Sequence, residues 1–152
     1  PKGRRILLMG AGGAARGVVL PLLECRPAIL FIANRTPARA VELVTRFRHA
    51  GPVHGGGYDA LAGSAFDIVI NATAASLAGE LPPLPEGIFA DGALAYDMMY
   101  GRDTPFLQLA RQAGARTADG LGMLVEQAAE AFFLWRGVRP DTAPVIALLR
   151  AG

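Results

Sequence analysis

The sequence predicts an α/β fold: a doubly wound parallel sheet with helices on both faces, followed by a helical C-terminal segment. Three observations lead there. Strand-sized apolar runs recur along the 152 residues, beginning with Ile6-Leu7-Leu8-Met9, and segments of helical period separate them. The first run leads directly into Gly10-Ala11-Gly12-Gly13-Ala14-Ala15. Thr-Pro pairs at 36–37 and 104–105 supply a cap and an N1 proline where crossover helices should begin. Strands joined by crossover helices pair in parallel, and their ligands gather beyond the C-terminal ends of the strands.

The turn after the first strand can approach a pyrophosphate only where side chains are missing, which is the use of Gly10 and Gly12, with Ala11 small between them. N–H groups of Gly13, Ala14 and Ala15 open the following helix, where the dipole is positive and phosphate oxygens are welcome. Ala15 also takes the small position that lets helix and strand pack closely. Val18, Val19, Leu22 and Leu23 continue the helix at its period, and Pro21 is expected to interrupt or kink it. A glycine-rich turn alone is weak evidence. Between an apolar strand and an apolar-faced helix it becomes the fingerprint of a Rossmann-like dinucleotide site.

A second buried strand is expected over 28–33. Its end should lie beside an adenosine ribose, where an NAD site carries a carboxylate for the 2′-hydroxyl. No acid occurs between Glu24 and Glu42; the chain reads Asn34-Arg35-Thr36 instead, and Arg39 follows in the first turn of the next helix. A cation there opposes the helix dipole, which is intelligible if an anion is to be held. Arg35 and Arg39 can converge on a 2′-phosphate, with Asn34 and Thr36 adding neutral hydrogen bonds, so NADP is the expected cofactor. Two solvated arginines at a helix start are the bland alternative.

The later elements follow the same alternation. A helix is expected over 37–49, a short strand near 52–55, a small apolar segment at 58–61, a fourth strand over 66–70 and a fifth over 93–97. The proline-rich stretch 81–85 should be irregular; a helix from Thr104-Pro105 should end at Gly114, and 115–118 is a sixth strand candidate. Asn71-Ala72-Thr73, Met98 to Tyr100 and Asp119-Gly120 then fall at the same edge as the glycine turn. The small residues after Asn71 would let the nicotinamide half of a cofactor cross the loop, with Met98 and Met123 against its ring, unless these methionines are only core filler. Asp67 starts its strand, at the opposite edge, and reads as structural. The division expected is 1–119 for the sheet domain and 120–152 for C-terminal helices.

Composition excludes several classes. With 52% hydrophobic and 18% charged residues the chain is not disordered, and its basic residues are scattered at a net charge of +2, which gives nucleic-acid binding little support. Apolar runs are too short for a membrane span, and the N-terminus has no secretory pattern. Cys25 cannot form an internal disulfide, which fits a reducing cytoplasm, and His49 and His54 stand apart from any ligand cluster, so no metal is expected.

The ordered set Gly10-Ala-Gly-Gly-Ala-Ala, Asn34-Arg-Thr-Pro-Ala-Arg39, Asn71-Ala-Thr, Tyr96-Asp-Met-Met-Tyr100, Thr104-Pro-Phe and Asp119-Gly-Leu-Gly-Met-Leu-Val-Glu-Gln127 resembles the nucleotide-binding half of the shikimate dehydrogenase family. Trp135-Arg-Gly and Pro140-Asp141 extend the match. The resemblance implies NADP-dependent, reversible reduction of 3-dehydroshikimate to shikimate in aromatic amino-acid biosynthesis. It implies that Met98, Gly120 and Met123 contact the nicotinamide side, and that Tyr100 and Gln127 reach the substrate. Gln127 on an otherwise apolar helix face could equally turn to water.

Proton transfer in that family belongs to a lysine and an aspartate of a preceding substrate domain. The only lysine here, Lys2, lies at the wrong edge, so the chain contains no catalytic pair and is expected to be the C-terminal portion of a longer protein, inactive by itself. Leu121, Leu124, Val125, Ala128, Ala129, Phe132 and Trp135 would form an apolar face that braces the substrate domain. One departure is Ala74-Ala75-Ser76, where family members commonly have Ser and Gly, so Ala75 and Ser76 receive no cofactor role. Alternatives are a non-catalytic NADP-binding sensor or regulatory module, and a quinate/shikimate or folate-linked dehydrogenase.

Overall fold

A computed structural model describes residues 2–76 and 78–151. Among these residues six strands form one sheet: β1 (Arg5–Met9), β2 (Ile29–Ala33), β3 (Val53–Gly56), β4 (Phe66–Asn71), β5 (Phe89–Asp97) and β6 (Arg116–Asp119). Their order is β3-β2-β1-β4-β5-β6, and each neighbouring pair is parallel. The order reverses direction between β1 and β4, which opens a crevice at their C-terminal ends.

Strand alternation divides the core into two layers. Ile6 and Leu8 face one way, towards Ala15, Val19 and Leu23 of α1 (Gly13–Glu24) and Ala40 and Leu43 of α2 (Pro37–Phe47). Leu7 and Met9 face the other way, towards Val69, Ala95 and the Phe106, Leu107 and Ala110 side of α3 (Pro105–Gln112). Central β1 is therefore buried on both sides, as its unbroken apolar run requires. Helix α1 runs through Pro21 without ending there. Pro21 is exposed, only one backbone donor is lost, and Val19 and Leu23 hold the buried face to the sheet on either side of it.

Two segments depart from expectation. β5 begins at Phe89, because Phe66 pairs with Phe89 while Ile68 pairs with Leu94, so β5 carries extra residues that include exposed Asp91 and Gly92. Residues 58–61, expected only as a small apolar segment, form a 3-10 turn, Tyr58–Leu61, whose Leu61 is buried. The crossover from β4 to β5 has no α-helix among the described residues. A three-residue 3-10 turn, Ala74–Ser76, gives way to an irregular loop that covers the second core layer with Leu84 and Ile88. Among the described residues, one face of the sheet thus has α1 and α2, and the other has α3 and a loop.

The two remaining helices, α4 (Leu121–Arg136) and α5 (Ala143–Ala151), bury little. Only Val125 and Ala129 of α4 are buried, and no residue of α5 is. Phe132, Phe133, Leu134, Trp135, Leu148 and Leu149 are exposed, Trp135 at 81%. No helix among the described residues is long and apolar enough to cross a membrane.

Candidate functional site

A cavity of about 430 Å³ opens where the sheet order reverses, and three strand ends build it. The β1–α1 turn contributes Gly10, Ala11 and Gly12, the β2–α2 turn contributes Asn34, Arg35, Thr36 and Arg39, and the chain after β4 contributes Ala72, Thr73, Ala74 and Ala75. Gly10 has φ +106, and a Cβ there would lie 2.9 Å from the Ala72 carbonyl oxygen, so a side chain would drive two walls of the cavity apart. Gly12 is different. A Cβ on it meets nothing within 4 Å, so its missing side chain is space on the cavity side. Gly12 is also the N-cap of α1, with no side-chain cap bond and no acid in the first turn. The leading N–H groups of Gly13 and Ala14 therefore stand uncapped at the positive end of the helix, while Ala15 is buried against the sheet.

The opposite wall is cationic. Asn34 donates through Nδ2 to the Thr36 carbonyl at 2.9 Å and shapes the turn that presents Arg35 and Arg39. Thr36 caps α2 by position only, since its hydroxyl makes no capping bond, whereas Thr104 accepts from the Leu107 N–H at 3.3 Å at the start of α3. Arg39 has no ion-pair partner among the described residues. Arg35 has one: its guanidinium lies 3.5 Å from a carboxylate oxygen of Glu80.

Sequence reasoning missed Tyr58, Glu80, Pro82 and Pro83, which also line this cavity, and it assigns no role to Ala75, which lines it too. Burial pushes the Tyr58 phenol up to about 12, opposed by the nearby Arg35 guanidinium, so Tyr58 stays a neutral donor at neutral pH. The signal for the loop residues was its length without a helix, which in a small domain marks a binding segment.

Asn71 does not line the cavity. It is fully buried, and its amide donates to Asp97 Oδ2 at 3.2 Å while its oxygen accepts from the N–H and hydroxyl of Thr73. Asp97, also fully buried, accepts from the Thr104 hydroxyl at 2.7 Å and from the Met99 N–H at 3.0 Å. This network ties the end of β4, the end of β5 and the cap of α3 beneath the site.

Met98, Gly120 and Met123 stand outside the cavity. The Gly120 N–H donates to the Met99 carbonyl at 2.9 Å, and a Cβ on Gly120 would overlap the Met98 carbonyl, so only glycine lets the ends of β5 and β6 approach this closely. Tyr100 is exposed and lines a second, open groove with Asp119, Leu121, Leu124 and Leu149; Gln127 is exposed on α4. The described residues contain no group of three or more His, Cys, Asp or Glu that could hold a metal.

A parallel sheet in this order, with a glycine turn beyond β1 and cations beyond β2, is a Rossmann domain, the class that carries dinucleotide sites. The uncapped helix start and the space at Gly12 suit a pyrophosphate, and the arginine wall suits a further phosphate. The chain belongs to the shikimate / quinate 5-dehydrogenase family, whose model matches residues 1–78, while the model of the shikimate 5'-dehydrogenase C-terminal domain matches residues 120–150.

Shikimate dehydrogenase (NADP(+)) of Nitrosospira multiformis is 65% identical over 150 residues, which cover 97% of this chain and 54% of that protein. The crystal structure of an Ael1 enzyme from Pseudomonas putida superimposes with a TM-score of 0.92 at 55% identity, over 97% of this chain and 55% of that one. Shikimate 5-dehydrogenase from Thermus thermophilus, solved in complex with NADP(H) and shikimate, gives 0.82 at 31% identity, over 99% of this chain and 56% of its own. The chain spans about half the length of the relatives it matches.

Proposed function

We propose that the chain is the NADP-binding portion of a shikimate dehydrogenase, serving the reversible reduction of 3-dehydroshikimate to shikimate in aromatic amino-acid biosynthesis. The observation that carries this reading is a single cavity that joins the glycine turn to Arg35 and Arg39, with no acid at the end of β2. Similarity to proteins named as NADP(+)-dependent shikimate dehydrogenases supplies the substrate.

In this reading Gly10 to Ala14 cradle the pyrophosphate, and Arg35 and Arg39 hold the 2′-phosphate with Asn34 and Thr36 beside them. Ala72 and Thr73 give the cofactor a smooth path towards Met98, Gly120 and Met123 at its nicotinamide side. Asn71 acts from beneath, through Asp97 and Thr73 rather than by contact. Bound NADP(H) supplies or takes up the hydride. Tyr100 and Gln127 touch the substrate, and a lysine and an aspartate of an N-terminal substrate domain move the proton. Residues 120–152 brace that domain through the exposed apolar face of α4 and α5, and the protein works in the cytoplasm, where lone Cys25 stays reduced.

Calorimetric titration with NADP+ and NAD+ tests the reading. NADP+ should bind more tightly, and replacing Arg35 and Arg39 by alanine should remove that preference, each lost charge-assisted contact costing about 1.5–3 kcal/mol. Equal affinities in the unmodified protein would refute it.

A further inference from the structure

We propose that Glu80 is a specificity determinant of the cofactor site, because its carboxylate competes with a 2′-phosphate for Arg35. The inference rests on the proposal that this cavity takes NADP. Glu80 is the only acid among the described residues that line the cavity, and it is paired with the cationic wall through Arg35. Its backbone N–H donates to the Ala75 carbonyl at 2.8 Å, and Pro82 and Pro83 follow within three residues, so the crossover loop is held on both sides of it. From there the carboxylate reaches Arg35 at 3.5 Å across 45 positions of sequence.

The pair is built to be exchanged. Both side chains are well exposed, 79% for Arg35 and 60% for Glu80, and ion pairs in such settings are weak and screened by salt. A dianionic phosphate offers Arg35 a stronger bidentate partner, but taking it leaves the Glu80 carboxylate unpaired beside an anion. Binding of NAD, which has no 2′-phosphate, leaves the pair intact. Glu80 therefore subtracts from NADP affinity and leaves NAD affinity alone. Arg39, which has no such competitor among the described residues, supplies the part of the attraction that Glu80 does not modulate.

Four proteins decide the matter: the unmodified chain, Glu80→Gln, Arg35→Ala and the double variant, each titrated calorimetrically with NADP+ and with NAD+ at low ionic strength. Glu80→Gln should tighten NADP+ by about two- to fivefold and leave NAD+ unchanged. That gain should vanish in the Arg35→Ala background, the signature of competition through one partner. Equal tightening of both cofactors, a gain that persists without Arg35, or no gain at all would each overturn the proposal. If Arg35→Ala still weakens the NADP+ preference while Glu80→Gln does nothing, the cofactor reading stands and only the role of Glu80 falls. If the unmodified chain binds both cofactors equally and Arg35→Ala changes neither, both fall together.

Discussion

Replacing Asp97 by asparagine should destabilise the protein by about 1.5–3 kcal/mol although the side chain keeps its size. Three groups that meet this carboxylate are donors: Asn71 Nδ2 and the Thr104 hydroxyl at Oδ2, and the Met99 N–H at Oδ1. An amide has one acceptor and one two-proton donor, so either orientation points an NH2 group at a donor. Turning Asn71 to compensate would cost its two bonds from Thr73, and reversing the Thr104 hydroxyl does nothing for Met99. At least one buried donor is left facing another, and the energy of a charge-assisted bond is lost with it. Urea unfolding measures the effect as a lower midpoint at unchanged slope. An Asp97→Asn stability within about 0.5 kcal/mol of the unmodified protein would refute the argument that the site rests on an acceptor-only side chain.

Gly10→Ala and Gly12→Ala should separate support from binding. The first puts a Cβ 2.9 Å from the Ala72 oxygen at φ +106 and should cost about 1–3 kcal/mol of stability as well as NADP+ binding. The second points a methyl group into open space at the helix start, so thermal unfolding should stay near that of the unmodified protein while calorimetric binding weakens; equal stability losses would refute the distinction. Tyr58 makes a pH prediction. Its phenol is raised from 10.0 to about 12 by burial, so the native state keeps a proton that the unfolded state loses between those values. Its contribution to stability is constant below about pH 10 and falls as pH rises towards 12. The drop in urea midpoint between neutral pH and about pH 11 should be smaller in Tyr58→Phe, and an unchanged drop would show that Tyr58 ionises freely.

The parallel sheet was legible wherever burial wrote a run of apolar residues, as in β1, β2 and the Ile68 to Ile70 part of β4. The start of β5 was not, because Asp91 and Gly92 lie in a stretch where the pairing slips and their side chains stay in water. The glycine and arginine walls of the cavity were legible because their residues sit directly after strands, where parallel topology sends them to one edge. Glu80 and Tyr58 carry no such address. Glu80 arrives by a loop with no period to read, and Tyr58 by a single 3-10 turn, so only tertiary structure sets them beside Arg35. Asn71 was placed correctly at that edge, yet sequence cannot say which way an amide turns. Its bond to Asp97, 26 positions away, turns it inward.

That inward turn divides the domain into parts with different freedom to change. The floor of the cavity is held by Asn71, Asp97 and Thr104, which are buried and do not line it, whereas its walls at Arg35 and Glu80 carry exposed side chains. An exposed wall residue such as Arg35 or Glu80 can be exchanged with little effect beyond what the cavity prefers. A floor residue cannot be exchanged alone, because each of its hydrogen bonds is also a neighbour's. Proteins of this build can therefore diverge in cofactor preference by single steps along the rim, while the three-residue tie beneath them must be kept or replaced as a unit.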